Sequence, residues 1–253
     1  MRRFTVTVLT IIILIIPSTT LIAGDCGDVN NDYLVNIFDI THLISYLYMD
    51  GPEPDCSNTV TDTNGNVYQT VKIGDQWWMA ENLKVTHYRN GDPIPNVTDS
   101  VEWIGLTTGA YCNYDNGTDN VATYGRLYNW YAVDDSRNIA PEGWHVPTDA
   151  DWQTLIDFLG GNDVAGGEMK DTTAYWSQPN EGATNSSGFT ALPGGYRYIY
   201  GNFISIGDDA LFWSSTENNS NDAWYRGLYY TIPGVVHYYN PKHCGFSVRC
   251  VKD

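Results

Sequence analysis

The sequence predicts an α+β protein, with one domain of short, twisted antiparallel strands and few helices, preceded by a small loop–helix unit. Three observations lead there. From about residue 61 to the C-terminus, short runs of β-branched and aromatic residues are separated by glycine-centred turns, the texture of antiparallel strands. One stretch, 149–159, stands out as a helix with a start and a stop signal. The 253 residues also hold 19 Tyr, nine Trp and 24 Gly with only 17% charged side chains, far more aromatic surface than a disordered chain carries.

Charge narrows the function classes. Thirty acidic against 13 basic side chains give a net −17. Residues 1–23 hold two arginines and no acid, so the remainder stands at 11 against 30, or −19. A surface this acidic repels phosphate backbones, which argues against a nucleic-acid partner.

Residues 1–23 read as a secretory signal peptide. Arg2-Arg3 precedes a 13-residue apolar stretch, Phe4 to Ile16, and Ile22-Ala23-Gly24 supplies small residues for cleavage after Ala23. A bilayer-spanning helix needs about 20 apolar residues, so no membrane span is expected here, and no later apolar run is long enough either. Asp25 precedes Cys26 where a lipoprotein signal needs a small residue, which argues against lipidation. The mature protein is therefore expected to be secreted, with any cell-surface association made through a partner.

Residues 25–56 carry a calcium-ligand spacing. With Asp28 at position one, Asn30, Asp32, Leu34, Asn36 and Asp39 fall at positions three, five, seven, nine and twelve of a twelve-residue loop. Three carboxylates, two amides and the Leu34 carbonyl are the oxygen ligands that Ca2+ takes. Ile37, Ile40, Ile44 and Leu47 then recur at helical spacing, and Asp50-Gly51-Pro52 ends the helix. This segment resembles a single repeat of a type I dockerin, the module that anchors secreted polysaccharide-degrading enzymes to scaffold proteins. The resemblance implies a cohesin-like or self-association partner through residues 28–48. It departs from the family in two ways. Position six is Tyr33 instead of glycine, where a left-handed backbone costs about 1–2 kcal/mol, and one repeat is visible where dockerins use two. Cys26 and Cys56 bracket the unit and are expected to form a disulfide in an oxidising compartment, although sequence alone does not fix connectivity.

After a polar link at 57–60, residues 61–253 are expected to form one domain with one sizeable core. Val67 to Ile73, Gly74-Asp75 and Gln76 to Met79 predict a hairpin with a tight turn. A second is predicted from Leu228 to Ile232, Pro233-Gly234, and Val235 to Tyr239, with about half of Tyr229, Tyr230, Tyr238 and Tyr239 facing out. Asn64-Gly65, Asn90-Gly91 and Asn116-Gly117 are further turn signals. In the helix over 149–159, Thr148 and Asp151 make a capping box. Trp152, Leu155, Ile156 and Leu159 form its buried stripe, and Gly160-Gly161 stops it.

Seven motifs follow in order. They are Gly-Asp-Gln-Trp-Trp-Met-Ala-Glu-Asn-Leu (74–83), Ala-Tyr-Cys-Asn-Tyr-Asp-Asn (110–116), Tyr-Gly-Arg-Leu-Tyr-Asn-Trp-Tyr-Ala-Val (124–133) and Pro-Glu-Gly-Trp-His-Val-Pro-Thr-Asp-Ala-Asp-Trp (141–152). Gly-Ala-Thr-Asn-Ser-Ser-Gly-Phe-Thr-Ala-Leu-Pro-Gly-Gly-Tyr-Arg (182–197), Phe-Trp-Ser-Ser-Thr-Glu (212–217) and Gly-Phe-Ser-Val-Arg-Cys-Val (245–251) complete the series. The series resembles the Fibrobacter succinogenes major paralogous domain of secreted bacterial proteins, over nearly all of 61–253. That resemblance implies a C-type-lectin-like fold of the branch shared with formylglycine-generating enzymes, and no established activity. Those cousins hold copper on a cysteine pair near the C-terminus. Cys244 and Cys250 have five intervening residues where the cousins have four, so copper chemistry is not expected. Alternation along 246, 248 and 250 makes Cys250 face the core, with a bridge to Cys112 expected and Cys244 left unpaired.

Other catalytic signatures are missing. There is no Gly-x-Ser-x-Gly elbow, no His-Glu-x-x-His helix and no phosphate-cradling glycine loop, and the five histidines are scattered. Glu168, Asp171, Glu181 and Glu217 offer a glycosidase-like pair only on paper, because acids are plentiful throughout. Gln178-Pro179-Asn180-Glu181 resembles the Glu/Gln-Pro-Asn/Asp tripeptide by which calcium lectins meet sugar hydroxyls, which makes Gln178, Asn180 and Glu181 candidate ligand contacts. Short motifs match by chance, and the same residues read equally as a structural turn. The chain is therefore expected to be a non-catalytic binding or surface protein. It would take a glycan or an extracellular protein, hold one Ca2+, and serve polysaccharide breakdown as an accessory.

Overall fold

The computed structural model describes residues 59–253 and, before them, Thr41, Ile44 and Ser45, which are helical. The signal segment, the calcium positions Asp28, Asn30, Asp32, Leu34, Asn36 and Asp39, and the pair Cys26 and Cys56 lie outside the described residues. The chain divides into two compact units, Met1–Ser57 and Asn58–Asp253.

The second unit is mostly sheet with five helices among the described residues, a mixed α+β architecture. A five-stranded sheet runs β1 (Thr59–Thr61), β2 (Val67–Ile73), β3 (Gln76–Met79), β12 (Val251–Lys252), β6 (Trp144–His145). A three-stranded sheet has β10 (Asp222–Tyr229) between β9 (Asp209–Glu217) and β11 (Val236–Pro241). Two small ribbons pair β4 (Tyr111–Cys112) with β5 (Leu127–Tyr128), and β7 (Gly194–Arg197) with β8 (Phe203–Ile206). All these strand pairs are antiparallel. The helices are α1 (Ser100–Ile104), α2 (Asp119–Tyr124), α3 (Trp130–Val133), α4 (Asp149–Phe158) and α5 (Ala165–Met169).

Two elements form as their local chemistry dictates. β2 and β3 close through Gly74-Asp75 with Ile73 opposite Gln76, and Gly74 takes a φ of +61°. A side chain at Gly74 would be strained there, and its Cβ would stand 2.9 Å from the Phe158 ring. In α4, Thr148 Oγ1 accepts from Asp151 N–H at 3.2 Å while Asp151 Oδ2 accepts from Thr148 N–H at 2.9 Å. Trp152, Leu155 and Ile156 are buried and Leu159 is partly so. The Trp152 ring meets Trp78 at 4.8 Å and Phe212 at 5.8 Å, which fastens the helix onto both larger sheets.

Two expectations are corrected. The second hairpin exists, but it pairs Asp222–Gly227 with Val236–Pro241, so residues 230–235 form a loop and not a strand end with a two-residue turn. That loop's backbone is claimed by the segment around α5. Pro233 C=O accepts from Gly167 N–H at 2.7 Å, and Val235 N–H donates to Asn162 C=O at 2.7 Å. Gly166 permits the approach, since a Cβ there would lie 2.2 Å from the Gly234 oxygen.

The C-terminal segment is buried on both faces, so Ser247 and Arg249 are as inaccessible as Phe246, Val248 and Cys250. It runs through the middle of the domain. Gly245 bridges Arg197, Phe246 bridges Tyr128, Ser247 bridges Phe212, and Val251 pairs with both Trp78 and His145. The expected Cys112–Cys250 bridge is also absent. Cys112, Cys244 and Cys250 are buried free thiols. Cys112 belongs to a cluster around Trp103, Tyr114 and Leu127, whereas Cys244 and Cys250 belong to the one around Tyr128, Trp213 and Phe246.

Candidate functional site

Many residues of the seven motifs turn inward. Asn82 Nδ2 donates to Tyr124 C=O at 2.9 Å and to Ser247 Oγ at 3.2 Å, and its Oδ1 accepts from Arg249 Nε at 2.8 Å. Arg249 also donates to the carbonyls of Met79, Phe189 and Thr190. Trp213 Nε1 donates to Tyr128 C=O and Trp130 Nε1 to Ser214 C=O. Arg197, fully buried, donates to the carbonyls of Val97, Thr98 and Gly201. These groups join strand ends and loops that are distant in sequence, and the satisfied backbone carbonyls offset the cost of burying polar side chains. His145 plays a similar part, lying 2.7 Å from Asp253 Oδ1 and 3.2 Å from Asp151 Oδ2.

Gln178, Asn180 and Glu181 lie on one loop, where the Gln178–Pro179 peptide is cis. Gln178 and Glu181 are exposed. Asn180 turns inward, its Nδ2 donating to Asp171 C=O at 2.9 Å, and its buried Oδ1 meets no partner. The loop is organised by a lysine. Lys170, fully buried, donates from Nζ to the carbonyls of Glu181, Tyr229 and Ile232 at 2.8–2.9 Å and sits 5.5 Å from the Trp176 ring centre. Burial pushes its pKa down to about 8. Among the described residues, no group of three or more His, Cys, Asp or Glu is gathered to hold a metal ion.

The cysteines offer no reactive centre. Burial pushes the Cys112 and Cys244 thiols up to about 12 and raises Cys250 as well. A nucleophilic or metal-holding thiolate needs the opposite, an electropositive and reachable setting. Two of the candidate acids have structural partners. Glu217 pairs with Lys242, and Asp171 Oδ1 accepts from Thr173 N–H.

A stacked aromatic group that faces outward lies between the sixth and seventh motifs, on β10 and β11. Their register sets Trp224 opposite Tyr239 and Arg226 opposite His237, so these four share one face of the sheet. The Trp224 ring lies 4.4 Å from His237 and 5.6 Å from Tyr239, and Tyr239 stacks on Tyr238 at 4.7 Å with 13° between planes. Tyr238 and Tyr239 are 53% and 37% exposed, whereas Tyr229 and Tyr230 are partly buried. Below the rings, Asp149 at the start of α4 takes Arg226 Nη1 at 3.0 Å on Oδ1 and His237 Nε2 at 2.8 Å on Oδ2. Burial and the Arg226 charge outweigh Asp149 and hold His237 below its ordinary pKa. Strand alternation gave the proportion, about half of the four tyrosines facing out, but not the pair, since it sends the neighbours Tyr238 and Tyr239 to opposite faces and both are exposed. Trp224, His237 and Asp149 were missed, because only the hairpin register and the packing of α4 bring them together.

Among the described residues no helix is long and apolar enough to cross a membrane. No curated protein and no solved structure matches this chain. The model of the Fibrobacter succinogenes major domain matches residues 71–252, well over half of the sequence, and the chain belongs to that family.

Proposed function

We propose that this is a secreted, non-catalytic binding protein that engages glycans through the aromatic face of the β10–β11 hairpin. The same reading gives the domain a C-type-lectin-like fold. It places a structural Ca2+ at Asp28, Asn30, Asp32, Leu34, Asn36 and Asp39, and assigns the dockerin-like segment at 28–48 to a cohesin-like partner or to a second copy of itself. One observation carries the reading: rings that normally seek the core are stacked at the surface, on Trp224, His237, Tyr239 and Tyr238. Aromatic rings with an apolar face and a polar rim suit sugar rings, which present C–H groups on one side and hydroxyls at the edge. Burial of all three described cysteines with raised pKa values favours binding over copper or thiol chemistry.

The test is retention of the mature protein on a polysaccharide panel, with calcium and with chelator. Tyr239→Ala is expected to abolish retention. Asp28→Ala is expected to remove calcium binding, read by titration calorimetry, and Asn180→Ala to leave retention intact. Retention on no glycan under either condition would remove the glycan reading and leave a protein partner in its place.

A further inference from the structure

We propose that the Trp224–Tyr239 face selects uncharged glycan chains and rejects polyanionic ones of the same backbone. This rests on the glycan-binding reading and adds the chemical class of ligand to it. Ring stacking by itself does not discriminate, because a hexose and a uronic acid offer a ring the same C–H face. Discrimination comes from the groups at the ends of the rings.

The register that aligns Trp224 with Tyr239 also places Asp222 opposite Pro241 on the same face. Asp222 therefore borders the rings at one end and Asp149 at the other. Asp149 is offset by Arg226, whereas Asp222 accepts from the neutral Asn219 amide at 3.0 Å and makes no ion pair among the described residues, and the nearby cations are already committed. Arg226 is 1% exposed and bound to Asp149, and the Lys242 ammonium is bound to Glu217 with its side chain 7% exposed. His237 is held neutral near pH 7 by burial and by the charge of Arg226. The domain as a whole carries 11 basic against 23 acidic side chains beyond residue 57, a net −12.

A carboxylate or sulfate on a sugar stacked against Trp224 would meet the Asp222 charge and the net negative field of the domain, with Arg226 and Lys242 already held by Asp149 and Glu217. Carboxylates that repel anions accept hydrogen bonds from sugar hydroxyls, and charge-assisted bonds of this kind are the strong ones. The exposed Asn221 side chain next to Asp222 adds a donor and an acceptor.

Affinity electrophoresis of the full mature chain tests this with matched pairs, such as hydroxyethylcellulose against carboxymethylcellulose and dextran against carboxymethyldextran. Retention on a neutral member is expected to be about tenfold stronger than on its carboxymethylated partner at low salt, with the gap closing as salt screens the field. Asp222→Asn should narrow the gap severalfold, and Tyr239→Ala should abolish retention on both members. Equal or stronger retention on the anionic member overturns the charge selectivity and leaves the glycan reading standing. So does a gap that Asp222→Asn leaves unchanged. Retention on neither member of any pair removes the glycan reading, and the selectivity falls with it.

Discussion

Arg249 Nε donates to Asn82 Oδ1 at 2.8 Å across 167 residues of chain, with both partners buried. The bond joins the end of the first motif to the last. Because Asn82 also holds Tyr124 C=O and Ser247 Oγ, a single carboxamide ties three distant segments together. The cation it steadies is expensive. Burial pushes Arg249 down to about 9, and its guanidinium lies 4.3 Å from the Phe189 ring centre. It remains charged at neutral pH because backbone carbonyls surround it.

Asn82→Ala leaves Arg249 Nε and the Tyr124 carbonyl without their partners in a dry interior. The expected loss is about 2–4 kcal/mol, seen as a lower midpoint in thermal denaturation followed by circular dichroism. The exposed Asn221→Ala should stay within about 0.5 kcal/mol of the parent. A parent-like melt for Asn82→Ala would show that these bonds contribute nothing.

Asp209 gives the domain an acid-side stability gain. Burial, helped by neighbouring Asp208, raises its pKa from 3.8 to about 6. The folded state therefore holds the proton more tightly than the unfolded state, so this contribution is fully present below about pH 4 and is lost as pH rises through 6. Asp209→Asn should remove that dependence and stabilise the protein at pH 7 by about 1–2 kcal/mol after allowing for partial solvent screening. Urea denaturation of both proteins at pH 4.5 and pH 7 checks it. An identical difference at the two pH values would contradict the assignment.

The thiols give a counting test. Cys112, Cys244 and Cys250 are buried with raised pKa values, so these three thiols should not react with an aromatic disulfide reagent in the native protein at pH 8. In guanidinium without reductant, three equivalents should react if Cys26 and Cys56 are bridged. Five would mean that this bridge does not form, and one would mean that two of the three domain cysteines are joined after all.

Where local chemistry was self-sufficient, the fold was legible. The Gly74-Asp75 turn and the Thr148–Asp151 capping box name their own elements, since the groups that satisfy them lie within a few residues. The β10–β11 hairpin was only half legible. Its aromatic runs announce two strands, but its register was set by α5, which draws the backbone of 230–235 away through Gly167 N–H and Lys170 Nζ. The C-terminal segment was half legible too, since alternation placed Cys250 inward and said nothing of what buries the other face. Ser247 and Arg249 are buried as well, and the groups that make those positions tolerable inside come from residues 79, 82, 189 and 190.

The sequence by itself determined the family, the mixed α+β class and the acidic charge, because each is written in composition or in spacing along the chain. Only the tertiary structure decided that the motif residues are internal clips, that Cys112 and Cys250 do not meet, and that Trp224, His237 and Tyr239 form one outward face above Asp149. Those outcomes depend on which distant carbonyl, carboxylate or ring comes within about 3–5 Å, a short-range contact that no single-strand pattern encodes.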